Sequence, residues 1–138
     1  MASDQHMIKA LSDMLQENET LMHPIFGYFK IGGLAQFAYF GFTETHFLIA
    51  YLSGEQVTDT VRIPLSINSI KIKRSKLFKE YTINILFEKG GAYTICACPK
   101  VLKVRSQEEN FPLFLMMLKT KAKIQGKYTN VVPKVHSK

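Results

Sequence analysis

Leu34-Ala-Gln-Phe-Ala-Tyr-Phe-Gly-Phe42, Thr43-Glu-Thr45, His46, Phe47-Leu-Ile-Ala-Tyr-Leu52: this run decides the fold. It reads as two strands, Leu34–Phe42 and Phe47–Leu52, joined by a three-residue polar turn. The first strand offers Leu34, Ala38, Phe40 and Phe42 on one face and Ala35, Phe37 and Tyr39 on the other. Phe47–Leu52 is apolar on both faces as well. A half-solvated antiparallel strand would alternate more cleanly, so something must cover the second face. Two covers are open at this point. One is the N-terminal segment, whose Met7, Leu11 and Leu15 recur at helical spacing. The other is a second subunit, meeting an interaction surface of Phe37, Tyr39, Leu48, Ala50 and Leu52 in a symmetric homo-oligomer.

Outward from this pair the chain continues to read as strands. Ile25–Ile31 ends at Gly32-Gly33, a hairpin signal. Ser53–Asp59 reads as a polar loop around Gly54. Val61–Pro64 and Ile67–Arg74 form one bent strand or two short ones, and Ser75–Glu80 is a basic turn. Tyr81–Phe87 alternates, with Tyr81, Ile83, Ile85 and Phe87 on one face. Glu88–Gly91 is a second hairpin and Tyr93–Cys98 the returning strand. Short turns between six or seven consecutive strands predict an antiparallel meander.

Helices bracket the strands. Residues 1–20 read as one amphipathic helix, capped by Ser3 or Asp4 and ended by Asn18. Ser106-Gln-Glu-Glu109 has capping-box form, followed by an apolar stripe of Phe111, Phe114, Leu115, Leu118 and Ala122. Pro112 predicts a helix that restarts at Asn110 or bends there. Gly126 ends it, and 125–138 reads as a basic tail. The domain proper is 21–124, a mainly β, α+β barrel or pair of sheets with its last helix on an open end. At 138 residues this is one domain. The longest apolar runs, Phe47–Leu52 and Phe111–Leu118, are far shorter than the roughly 20 residues of a membrane span. With no basic-then-apolar leader at the start, a cytoplasmic location is expected.

These residues resemble a known family. Ala38–Ile49 resembles the strand, Thr-based turn, strand signature of bacterial pleckstrin-homology-like (PH-like) domains. Arg62-Ile-Pro-Leu-Ser-Ile-Asn-Ser-Ile70 resembles their Ile-Pro-Leu segment, and Leu15–Glu19 their helix-then-acid opening. The strand pair at 81–98 and the closing Phe/Leu helix follow in order, so the likeness covers about residues 15–122. The third strand is preceded by His46, where the family often has a basic residue. The resemblance implies a PH-like seven-stranded antiparallel open barrel capped by a C-terminal helix, here with an extra N-terminal helix. It implies a non-enzymatic binding or assembly module, often oligomeric. Phosphoinositide-binding members carry a Lys/Arg series on the first hairpin, where this chain has Lys30 alone.

Charge divides the chain. The net charge is +7, with residues 1–60 at −5 and residues 61–138 at +12. An anionic partner follows as the expectation. The densest site is the turn region, where Lys71, Lys73, Arg74, Lys76 and Lys79 surround Leu77 and Phe78. Ile70 and Ile72 share one strand face, which leaves Lys71 and Lys73 on the other. A basic rim with an apolar tip suits an anionic membrane surface. In the bland reading Leu77 and Phe78 fold back to plug the barrel.

Other chemistry is thin. Cys96 and Cys98 are half a tetrahedral metal site at most, without a suitably spaced His, and read as two free thiols in a reducing compartment. No hydrolase, P-loop or metalloprotease motif is present, and the four histidines lie in unrelated contexts. No cofactor, metal or catalytic residue is therefore expected. Tyr28, Tyr39, Tyr51, Tyr93 and Tyr128 accompany no nucleic-acid motif and read as packing residues, so nucleic acid is not the expected partner. The expected function is protein interaction or self-association through the apolar strands. The alternative is peripheral membrane binding through residues 71–79.

Overall fold

A computed structural model describes residues 2–77, 79–124 and 128–131, with the backbone alone for 123–124 and 128–131. Helix α1 spans Asp4–Ser12 and is capped by Ser3, whose hydroxyl accepts from the His6 N–H. It is shorter than the segment expected. Past Ser12 the chain tightens into three-residue turns, the Met14 N–H donating to the Leu11 carbonyl and the Leu15 N–H to the Ser12 carbonyl, each at 3.0 Å. Asn18 takes a left-handed φ of 69°, and the Glu19 carboxylate accepts from the Gln16 N–H. Met14 and Leu15 still pack at the edge of the helix's own cluster.

Seven strands follow: β1 Met22–Ile31, β2 Leu34–Phe42, β3 His46–Ser53, β4 Gln56–Pro64, β5 Ile67–Arg74, β6 Tyr81–Phe87 and β7 Gly91–Ala97. Their order in the sheet is β4-β3-β2-β1-β7-β6-β5, with every one of these pairs antiparallel. The segment from Val61 to Arg74 is thus divided between two strands at opposite ends of this series. The polar loop expected at Ser53–Asp59 is corrected: β4 begins at Gln56 and pairs Val57 with Leu52. Its first five residues are exposed because this stretch of edge strand has no layer against either face. A short strand β8, Tyr128–Val131, lies parallel to β5 inside the segment read as a basic tail. An edge strand's unpaired backbone groups favour such an addition. Gly126 and His136 lie outside the described residues.

The sheet curls until its halves meet. The rings of Phe47 on β3 and Phe87 on β6 are 5.4 Å apart, and those of Phe29 and Tyr93 are 5.9 Å apart. A Cβ on Gly90, in the β6–β7 turn, would come within 2.4 Å of Ile63 Cγ2 on β4, so the backbone itself fills that contact. Helix α2, Gln107–Ile124, packs into this partly open barrel through Phe111, Phe114, Leu115, Leu118 and Ala122. It neither restarts nor breaks at Pro112, which lies on the exposed side. The capping box expected at Ser106 takes another form. The Ser106 hydroxyl donates to the Asp4 carboxylate, which also accepts from the Arg105 and Ser106 N–H groups.

A second, smaller core lies outside the barrel. Met7, Ala10 and Leu11 of α1 bury Tyr39, Leu48, Ala50 and Leu52, with Val104 completing the cluster. Of the two covers open to the doubly apolar strands, the chain supplies its own helix.

Candidate functional site

The outer face of β7, β6 and β5 carries no helix, and pairing register builds its surface, which Tyr28 and Lys30 of β1 continue while Phe26 of β1 packs with the α1 cluster. Lys73 is opposite Thr82, Thr82 opposite Cys96, and Cys96 opposite Tyr28. One pair further along, Lys71 is opposite Asn84 and Asn84 opposite Thr94. Lys30 lies two residues beyond Tyr28, hence on the same face. Ile70, Ile72, Ile83, Ile85 and Ile95 point the other way and are buried. Strand alternation thus sends the apolar side chains inward and the cations out.

The result is a hollow of about 640 Å³ in which Lys30, Lys71, Lys73, Arg74 and Lys76 meet over a floor of Thr82 and Asn84. Glu80 is the lone carboxylate in its lining, and the Tyr28 hydroxyl donates to it. Burial, then that hydrogen bond, pushes the Tyr28 pKa well up, so the hydroxyl keeps its proton. The Thr94 hydroxyl donates to Asn84 Oδ1 at 2.7 Å and fixes the Asn84 amide. None of the five cations forms an ion pair among the described residues. The site presents hydrogen-bond donors and positive charge at close spacing, a surface that attracts anions.

Of the sequence-predicted residues, Lys71, Lys73, Arg74 and Lys76 come together here. Leu77 does not plug the barrel; it is 78% exposed on the turn. Phe78 lies outside the described residues. Lys79 turns away to line a different hollow with Cys98, Pro99, Lys100 and Glu108. The interaction surface needs correction. Tyr39, Leu48, Ala50 and Leu52 are buried beneath α1, where their apolar faces find a cover within the same chain. Phe37 alone of that set is on the surface, 46% exposed, its ring stacked on Phe26 at 5.5 Å. Lys30, Thr82 and Asn84 were missed. Lys30 reaches the site only through the β1–β7 pairing, a contact between strands far apart in sequence.

Both cysteines are free, and burial pushes both thiols up, with Glu80 adding to it. Neither has the lowered pKa of a reactive thiol. Among the described residues no three His, Cys, Asp or Glu side chains gather to hold a metal, and no helix is long and apolar enough to cross a membrane.

No protein-family model matches the chain, and no curated protein does. Solved structures do. The hSac2 domain of the human phosphoinositide phosphatase Sac2 superposes with a TM-score of 0.60 at 14% identity, covering 97% of this chain and 89% of that one. A pleckstrin homology domain from Shewanella amazonensis SB2B aligns at 14% identity and a TM-score of 0.48, over 84% of this chain and 95% of that one. The fold is PH-like: an antiparallel barrel with helices before and after it.

Proposed function

We propose that this PH-like chain is a non-enzymatic binding module that docks on anionic membrane surfaces through the hollow of Lys30, Lys71, Lys73, Arg74 and Lys76. The observation that carries the reading is the convergence of five cations, without an ion pair among the described residues, beside an exposed leucine at position 77. Each basic side chain near an anionic leaflet is worth about 1 kcal/mol, so the cluster suffices for reversible attachment. Charges of this kind act over a Debye length of about 8 Å at physiological salt, and attachment therefore weakens as salt rises.

Co-sedimentation tests it. Vesicles of phosphatidylcholine with phosphatidylserine should carry the protein down at low salt and release it at high salt, while phosphatidylcholine alone should not. Lys71→Glu with Lys73→Glu should abolish pelleting in a chain of unchanged circular dichroism. Pelleting that ignores both salt and the charge reversal would overturn the reading. Self-association through β2 and β3 would require α1 to leave its place. Light scattering across a dilution series should then give a mass near 15.8 kDa throughout.

A further inference from the structure

The basic hollow is not the only place where an exposed leucine is set among cations. The loop 98–106 between β7 and α2 folds into a tight turn at Val101–Val104, closed by the Val104 N–H donating to the Val101 carbonyl at 3.2 Å. Val104 is buried in the cluster under α1, and Val101 packs partly against it. Between these anchors Leu102 stands 88% exposed, the most exposed large apolar side chain among the described residues. Lys100, Lys103 and Arg105 flank it and line one hollow of about 530 Å³ with it.

Three observations connect this turn to the β5–β6 turn. Tyr81 pairs with Ala97, so the two loops leave the sheet side by side. Lys79 from one and Cys98, Pro99 and Lys100 from the other line a shared hollow of about 360 Å³. Each loop also holds a lysine in the left-handed region, Lys79 at φ 50° and Lys103 at φ 73°. Glycine or asparagine usually takes that conformation. The loop is held rigid at its far end, where Asp4 of α1 accepts the Arg105 and Ser106 N–H groups at 3.0 and 3.2 Å.

A rival apolar tip sits at the opposite end of the strands, where Ile31 and Leu34 are 60% and 75% exposed. Charge separates the two ends. The hairpin tip itself, Ile31-Gly-Gly-Leu34, carries no charged residue. Around Leu77 and Leu102 stand the five cations Lys76, Lys79, Lys100, Lys103 and Arg105, against four acids: Glu80 held by Tyr28, Glu108 beside Lys100 at 3.9 Å, Glu109 near Arg105, and Asp4 on the Arg105 and Ser106 N–H groups. An anionic bilayer is the partner that rewards both the exposed leucines and the surplus of positive charge.

We propose that the β7–α2 loop is a second membrane contact, with Leu102 entering an anionic bilayer alongside Leu77, so that the domain sits on this lip and not on its first hairpin. The inference rests on the membrane reading above, and the test separates the two. The chain has no tryptophan, so a single Trp is a clean reporter. Leu102→Trp should shift its emission to the blue on adding phosphatidylserine-containing vesicles and be quenched by brominated acyl chains. Leu34→Trp should do neither. Burying a leucine fully is worth about one to two powers of ten, so Leu102→Asp should lower vesicle partition roughly tenfold or more. Its thermal midpoint should stay at the wild-type value, since the side chain is exposed. Vesicle binding that needs Lys71 and Lys73 but leaves the Leu102→Trp indole in water would overturn this inference and leave the membrane reading standing. Emission that shifts for Leu34→Trp instead would overturn it too. A protein that binds no anionic vesicle overturns both.

Discussion

The two outer faces of the barrel differ in one respect that explains most of the molecule. On β2 and β3 the outward side chains Tyr39, Leu48, Ala50 and Leu52 are buried beneath a nine-residue helix, with Phe37 left exposed beyond its edge. On β5, β6 and β7 they include Lys71, Lys73, Thr82, Asn84 and Thr94, with Leu86 and Cys96 the apolar exceptions, and no helix lies over them. Both faces obey the same period of two. What differs is the residue type in the outward phase, and that alone decides where a second layer is needed. The covered face contributes to stability; the bare face is left for a partner.

The largest effect is expected on the covered side. Leu48 is fully buried between β3 and α1. Leu48→Ala should cost about 2–5 kcal/mol of unfolding free energy in a urea titration, the range for a leucine cavity that cannot collapse. A loss under about 1 kcal/mol would mean that α1 adds little, and the difference between the faces would lose its energetic content.

A smaller loss is expected at Gln107, which belongs to neither face but joins them. Its side-chain carbonyl accepts from the Phe26 N–H at 2.8 Å, and its amide donates to the carbonyls of Phe26 at 2.8 Å and Cys98 at 3.0 Å. The residue is wholly buried, so it completes backbone groups of β1 and of the loop that water cannot reach. Gln107→Ala should cost about 1–3 kcal/mol, the range for orphaned buried polar groups. Gln107→Glu should not rescue it, because a carboxylate has no amide to offer the two carbonyls.

These two positions mark the limit of what the sequence discloses. Leu48 was legible: an unbroken apolar run in a strand demands two covers, and a helical stripe elsewhere offers one. The spans of β2 and β6 were legible for the same reason, since alternation or aromatic density runs to their ends. Gln107 was not. It read as an ordinary first-turn residue, because its partners Phe26 and Cys98 are brought to it by the fold. Period two assigns a side chain to a face, but does not say which distant strand lies beside it. Lys30 therefore looked isolated until the β1–β7 pairing placed it with the cations of β5. The polar start of β4 failed differently. An edge strand that runs past the core needs no apolar residues, so it carries the composition of a loop.

Acid sharpens the comparison on the covered side. Arg62 on β4 binds Glu19 with two guanidinium nitrogens, at 2.7 and 2.8 Å, and donates to the Met14 carbonyl at 3.2 Å. This clasp fixes the connection between α1 and β1. The Arg62 hydrogen bonds, then the Gln16 N–H, hold the Glu19 pKa at about 2, down from 4.5. A carboxylate with a lowered folded-state pKa binds its proton more readily when unfolded. Its contribution is full above pH 4.5 and lost as pH falls through 2. Wild type should therefore be more stable than Glu19→Gln at about pH 6, and thermal melts should bring the two together as pH drops through that window. A gap that persists at about pH 2 would mean that shape, not charge, holds the clasp.

The smallest effect on stability is expected on the bare face, and it is the most informative for function. Lys71 and Lys73 are exposed, have no ion pair among the described residues, and touch the core only through the strand that carries them. Surface substitutions of this kind stay within about 0.5 kcal/mol of wild type. Removing two like charges from a cluster of five also relieves their mutual repulsion, which offsets part of that cost. Lys71→Ala with Lys73→Ala should thus leave the urea midpoint in place or raise it slightly. The same variant should lose vesicle binding at low salt, where the cluster acts most strongly. A residue kept for folding lowers both readouts when it is removed. A residue kept for a partner lowers only the second, and that split is what the bare face is expected to show. If the double variant unfolds early, β5 needs these side chains for its own pairing with Thr82 and Asn84, and the hollow becomes a structural seam instead of a site.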